Sequence, residues 1–289
     1  MRHQEILSYE ELMLLAETSV GIGIEKIRVT GGEPLVRSGI LNFLGSLSTI
    51  PRLRQLVLTT NGILLPDLAE GLRKAGVQRL NISLDSLRPE NFARITRCGD
   101  LGRVLEGIHM ADGIGFPIKL NMVVMRGIND DEVVDFAGLT LLKPFTVRFI
   151  EYMPVVKDPD WRLLVVPGEE ILRRIASAYR VLPLDREDYL SGPSKNYRLD
   201  GAVGEIGIIT PVSSHFCSEC NRIRVSSSGM ARGCLFDNTE FDLKTILQSG
   251  DRTVLEESLR EIVSRKPGKS LLTDSGSDCK SFDMSKVGG

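Results

Sequence analysis

Short β-branched runs alternate with amphipathic helical stretches through the first two-thirds of the chain, a pattern of strands each followed by a helix. Ser8, with Glu11 three residues on, forms a capping box and opens a predicted helix over about residues 9 to 21. The run Lys26-Ile27-Arg28-Val29-Thr30 reads as a strand, and further strands are predicted at about 55 to 60, 79 to 84, 118 to 125 and 146 to 152. Helical patterns lie between them near 38 to 48, 64 to 75, 100 to 113 and 131 to 142. Parallel strands need such crossovers, because the chain must travel back the length of the strand before the next one starts.

Each predicted strand ends in polar residues or glycine: Thr30-Gly31-Gly32-Glu33-Pro34, Thr59-Thr60-Asn61-Gly62, Ser83 with Asp85, Asn121, and Arg148 with Glu151. Any one of these is ordinary turn composition. Five in series point to a ligand site at the carboxyl ends of successive strands, which favours a partial TIM-type barrel over a doubly wound sheet. After residue 155 the pattern changes, with Pro154, Pro159 and Pro167, a helix over about 168 to 180 and a polar loop through Ser191-Gly192-Pro193. Two regions are expected, 1–155 as the barrel and 156–289 as a C-terminal extension.

Composition narrows the function classes. With 36 Lys and Arg against 38 Asp and Glu, a net charge of −2 provides no general attraction to nucleic acid or an anionic membrane, so an anionic ligand needs a local cluster of cations. No apolar run approaches the roughly 18 to 20 residues of a membrane span, and Met1-Arg2-His3-Gln4 does not open a signal peptide. Five cysteines, an odd number with three crowded between 217 and 234, suggest metal ligation rather than disulfides.

Those three are Cys217, Cys220 and Cys234, a C-x2-C-x13-C arrangement in which the third returns from a hairpin near Ser228-Gly229. A structural zinc would want a fourth ligand, for which His215 or Cys279 are the candidates; three cysteines alone point to an iron-sulfur cluster with one open iron. Beside them, Arg222 and Arg224 alternate about Ile223 and would share a face if extended, two guanidinium forks suited to phosphate. Arg28, Lys119 and Arg148 sit on predicted buried strands and strengthen the anion reading, with an ion pair to Glu151 as the alternative for Arg148.

The runs KIRVTGGEPLVR, TTNG, NISLDSL, KLNMVVMRGIN, RFIEYMP, GEIGIITPVSSHFCSECNRIRVSSSG and CLF, in that order, resemble the radical S-adenosylmethionine GTP 3′,8-cyclase family over essentially the whole chain. The terminal Gly288-Gly289 matches that family's double-glycine tail. The resemblance implies an α/β, partial TIM-type barrel of the radical SAM class with a C-terminal cluster-binding extension. It implies that Gly32, Ser83 and Met153 contact S-adenosylmethionine and that Arg28, Thr59, Lys119, Arg222, Ile223 and Arg224 contact GTP. It also implies that Cys217, Cys220 and Cys234 ligate a second 4Fe-4S cluster whose open iron binds the purine. The implied activity, a step of molybdenum cofactor (molybdopterin) biosynthesis, is cyclisation of GTP to 3′,8-cyclo-7,8-dihydro-GTP. A radical derived from S-adenosylmethionine takes the 3′ hydrogen, and cyclic pyranopterin monophosphate synthase then acts as pathway partner.

The sequence departs from the family in lacking the C-x3-C-x2-C motif that holds the first 4Fe-4S cluster; Cys98 and Cys279 are not so spaced and receive no role. Two expectations follow: an enzyme whose N-terminal segment is missing from this sequence, or a catalytically silent module that binds GTP and one cluster. The expected setting is the cytoplasm, or the mitochondrial matrix if a leader was lost with that segment. A homodimer is compatible with the sequence, and neither nucleic acid nor membrane is expected as a partner.

Overall fold

A computed structural model describes residues 6–97, 99–153, 160–185, 190, 192–215, 217, 220–237 and 239–267. In chain order the alternating half comprises α1 (Tyr9–Gly21), β1 (Lys26–Val29), α2 (Ile40–Ser48), β2 (Gln55–Thr60), α3 (Leu65–Lys74), β3 (Arg79–Ser83), α4 (Pro89–Thr96), α5 (Leu101–Gly113), β4 (Ile118–Val124), α6 (Val133–Leu142) and β5 (Thr146–Glu151). The expected capping box is present, Glu11 N–H donating to Ser8 Oγ at 3.1 Å and Ser8 N–H to Glu11 Oε2 at 2.6 Å. The helix α4 is not among the elements expected from the periodicity; it opens on Pro89, whose missing N–H costs nothing in a first turn. Beyond residue 160 come α7 (Gly168–Ala178), β6 (Val181–Pro183), β7 (Lys195–Leu199), β8 (Glu205–Ile209), β9 (Arg224–Val225), β10 (Met230–Arg232), β11 (Phe241–Asp242), α8 (Lys244–Ser249) and α9 (Arg252–Ser264).

The chain divides into two compact units. One is drawn from Met1–Leu58, Lys74–Val77 and Cys217–Gly289. In it β1 runs parallel to β2, with Arg28 opposite Val57, and β9, β10 and β11 form a small antiparallel sheet. Its core joins Leu7 and Leu15 of the N-terminal region to Ala231 and Leu243, and to Leu255, Leu259 and Ile262 of α9. Burying each of the larger side chains contributes about 1.5–3 kcal/mol. Asp251 caps α9 by accepting from Thr253 N and Val254 N.

The other unit is drawn from Thr59–Arg73 and Gln78–Phe216. Its strand order is β3-β4-β5-β8-β7-β6, parallel from β3 to β8 and antiparallel across β7 and β6. Along β4 the burial alternates strictly: Ile118, Leu120, Met122 and Val124 are buried, while Lys119, Asn121 and Val123 are half-buried on the opposite face. Among the described residues no helix is long and apolar enough to cross a membrane.

Candidate active site

In the second unit the polar strand ends are held by side chains that bond to main chain. Thr59 is buried, and its Oγ1 accepts from Asn81 Nδ2 at 3.2 Å. After β2, Gly62 has φ +85°, and a Cβ there would stand 3.1 Å from Val104 Cγ1 and 3.2 Å from Ile82 Cγ2. Backbone conformation and space both demand glycine in this Asn-Gly turn. Ser83 ends β3 exposed. The loop that follows is fixed from below by Asn129, fully buried, which accepts from Met125 N at 2.7 Å and donates to Asp85 O and Val123 O at 2.8 and 2.9 Å. Glu132, equally buried, accepts from Ser86 Oγ, Leu87 N and Asn91 Nδ2, each at 2.7 Å. Glu132 carries no motif signal in the sequence, and Asn129 closes the run KLNMVVMRGIN without its bonding role being legible there. Burial raises the Asp85 carboxyl to about 6, outweighing the bond from Val123 N to its Oδ1 at 2.8 Å.

A register row crosses the sheet from Ser83 to Asn121, Arg148, Gly207 and Asn196. Residues paired in register project to one face, so this row presents polar groups where a core would present aliphatic ones. A Cβ on Gly207 would lie 2.2 Å from Ser194 Oγ, 3.2 Å from Asn196 Oδ1 and 3.4 Å from Arg148 Cγ, so the missing side chain makes room for three polar neighbours. Asn121 Oδ1, Ser194 Oγ and Asn196 Oδ1 are buried without a hydrogen-bond partner among the described residues, as is Asn81 Oδ1 in the adjacent row opposite Lys119. Buried acceptors left in this way call for water or a ligand.

The alternative ion pair between Arg148 and Glu151 is not formed. Residues three apart on a strand face opposite sides, and the Glu151 carboxylate is taken by Gly168 N at 2.7 Å, Val212 N and Ser213 N at 2.9 Å each, and the Ser213 hydroxyl. Met153 lies half-buried two residues past β5.

In the first unit Arg28 lies on β1, and Gly32 is exposed in the bend that follows, just before Glu33 accepts from Leu35 N at 3.1 Å to cap a short helical turn. Ile223 and Val225 pack on the core of this unit. Arg222 and Arg224 therefore fall on the other side of the segment, as their alternation predicts. Burial, then the charges of Arg222 and Arg28, bring Arg224 down to about 10, while Cys220 and Cys234 act in the opposite sense.

Cys220 N donates to Cys217 O at 3.2 Å. Burial pushes the Cys220 thiol up, but the N–H of Arg222 and the charges of Arg222 and Lys266 outweigh it and lower the thiol below its ordinary value. A thiol biased toward thiolate is the form that ligates iron or zinc. None of Cys217, Cys220 and Cys234 is in a disulfide. Among the described residues no three His, Cys, Asp or Glu side chains stand close enough to hold one ion. His215, the candidate zinc ligand, has Nδ1 at 2.7 Å from Pro211 O, and Cys98, Cys279 and Gly288-Gly289 lie outside the described residues.

The model of the Radical SAM superfamily matches residues 1–140, and that of Molybdenum Cofactor Synthesis C matches residues 145–271. A protein of Geobacter sulfurreducens named GTP 3′,8-cyclase is 55% identical over 290 residues, an alignment that takes in 100% of this chain and 89% of the relative. The chain belongs to the GTP 3′,8-cyclase family. A member from Alkaliphilus oremlandii is 43% identical over 99% of this chain and 88% of its own length. Among solved structures, Streptococcus suis SuiB bound to S-adenosylmethionine superposes with a TM-score of 0.57 at 16% identity, covering 88% of this chain and 61% of SuiB. At that identity the likeness speaks for fold alone, and the fold is the α/β, partial TIM-type barrel of the radical SAM class.

Proposed function

We propose that this protein acts in the family's reaction, cyclisation of GTP to 3′,8-cyclo-7,8-dihydro-GTP on the way to cyclic pyranopterin monophosphate and molybdopterin. Full-length identity of 55% to a named cyclase favours this over a catalytically silent binding module. The observation that carries it is that identity, and a concentration of cations in one unit agrees with it: Arg28 and Arg222 lie near enough to lower Arg224, with the Cys220 and Cys234 sulfurs beside them. A cluster of guanidinium groups is suited to an anionic ligand, and GTP is such an anion.

Arg28, Arg222 and Arg224, with Lys119 and Thr59, hold the nucleotide, and Ile223 anchors the arginine segment to the core. Arg148 is a further phosphate or base contact of the polar row. Gly32, Ser83 and Met153 receive S-adenosylmethionine, Gly32 by letting backbone approach the ligand. Cys217, Cys220 and Cys234 are the donors for the second 4Fe-4S cluster, which when bound supplies an open iron to the purine. The remaining work belongs to the chain: to orient the two nucleotides and to keep water from the reacting sugar. The sequence contains no C-x3-C-x2-C, so no ligand set is assigned to a first cluster and no step is routed through one. In this scheme residues 1–155 carry the S-adenosylmethionine contacts and residues 156–289 the cluster. The pathway partner is cyclic pyranopterin monophosphate synthase, and the bacterial relatives support a cytoplasmic setting; a homodimer is compatible with it.

The test is anaerobic reconstitution with iron and sulfide, counting metal per chain and recording the spectrum with and without GTP. About four irons per chain are expected for one such cluster, with a spectrum altered by GTP and both lost in Cys217→Ala. Zinc in place of iron, with no response to GTP, overturns the reading.

A further inference from the structure

Lys266 is half-buried just past α9 and carries no motif signal, yet its ammonium reaches both cysteine-bearing segments. Nζ donates to Arg222 O at 2.5 Å, two residues beyond Cys220, and to Gly233 O at 2.8 Å, one residue before Cys234. Its third contact is the Cys220 sulfur at 3.8 Å. The approach is close: a Cβ on Gly233 would lie 3.2 Å from both Ile262 O and Lys266 Cγ, tighter than ordinary van der Waals contact, so glycine eases the seating of residue 233 against the end of α9. The helix is itself anchored through Leu255, Leu259 and Ile262 in the core. A lysine placed only to cover surface would keep its ammonium in water. Here all three donor directions are spent on the cysteine loops, although Arg222 and Arg224 already make the region cationic.

We propose that Lys266 is a positioning residue of the cluster site, fastening the segment at Cys220–Arg222 to that at Gly233–Cys234 and setting the charge felt at the Cys220 sulfur. This rests on the assignment of those cysteines to a 4Fe-4S cluster. Outer partners of metal ligands orient them and tune the metal, and hydrogen bonds and charge beside the sulfurs set a cluster's reduction potential. Removing the cation disfavours the reduced, more negative cluster and lowers that potential.

The experiment compares wild type, Lys266→Met and Lys266→Arg after anaerobic reconstitution, reading iron per chain, the rate of iron loss to a chelator, and the midpoint of a reductive titration. Lys266→Met is expected to lose iron about tenfold faster or more and to reduce at a lower potential, with Lys266→Arg restoring the potential. An unchanged midpoint in Lys266→Met overturns the proposal even if iron is lost faster, because a purely structural clamp would behave that way. Should Lys266→Met not fold, Lys266→Gln, which keeps a donor without the charge, carries the same comparison. Failure of wild type to take up iron sinks the cluster assignment itself, a result distinct from equal behaviour of the variants.

Discussion

Changing Glu151 to Gln removes a charge and one of two acceptor oxygens from a fully buried site that joins the end of β5 to residues 212–213 and the start of α7. Oε1 receives Gly168 N and the Ser213 hydroxyl, and Oε2 receives Val212 N and Ser213 N. If the amide nitrogen of Gln takes the Oε2 position, two backbone donors face a donor. If it takes the Oε1 position, the Ser213 hydroxyl can turn to accept, and only Gly168 N–H is stranded. The second orientation wins, and one bond to a buried charged acceptor is lost, about 2 kcal/mol. Opening at that amide should rise by about 30-fold, seen in native-state hydrogen exchange as faster exchange of Gly168, with Val212 and Ser213 nearly as protected as before. Equal loss at all three amides, or none, refutes this account of the site. Because Met153 lies two residues beyond Glu151, the same variant should weaken S-adenosylmethionine binding if Met153 contacts that ligand.

Two further outcomes are expected. Asp85, raised by burial to about 6, binds its proton more tightly folded than unfolded, so its contribution to stability is fullest below the unfolded value and declines as pH rises through about 6. Asp85→Asn keeps the acceptor for Val123 N without ionising, so urea midpoints should favour the variant increasingly from about pH 4 to 6 and level off above; a difference independent of pH would count against the assignment. Gly207→Ala drives a methyl to 2.2 Å from Ser194 Oγ and should cost stability. The overpacking penalty is about 1–3 kcal/mol, read as a lower unfolding temperature; an unchanged unfolding temperature would mean that Ser194 yields freely.

Part of the candidate site is legible in the amino-acid sequence. Arg222 and Arg224 read as a pair because strand alternation is local, and Ile223 and Val225 on the core bear it out. The C-x2-C spacing and the strand-end polar residues are equally local. Glu132 and Lys266 carry no such signal, and the runs that hold Asn129 and Gly207 do not reveal their contacts, since each matters for what it touches some distance along the chain: Glu132 accepts from Ser86 and Lys266 reaches Arg222.

The sequence by itself determined the alternation of strand and helix from residue 26 to 151, the capping box at Ser8, the cysteine arrangement and, through its motifs, the family. These depend on neighbours within a turn or two, where periodicity and side-chain chemistry act directly. Only the tertiary structure decided that β8 enters parallel beside β5, with β7 and β6 beyond it. It alone also closed the core in which Leu7 and Leu15 meet the C-terminal helices, where Leu7 N donates to Ser227 O at 2.8 Å. Apolar residues declare that they will be buried but not against which partner; that choice is made by the packing of surfaces far apart in the chain.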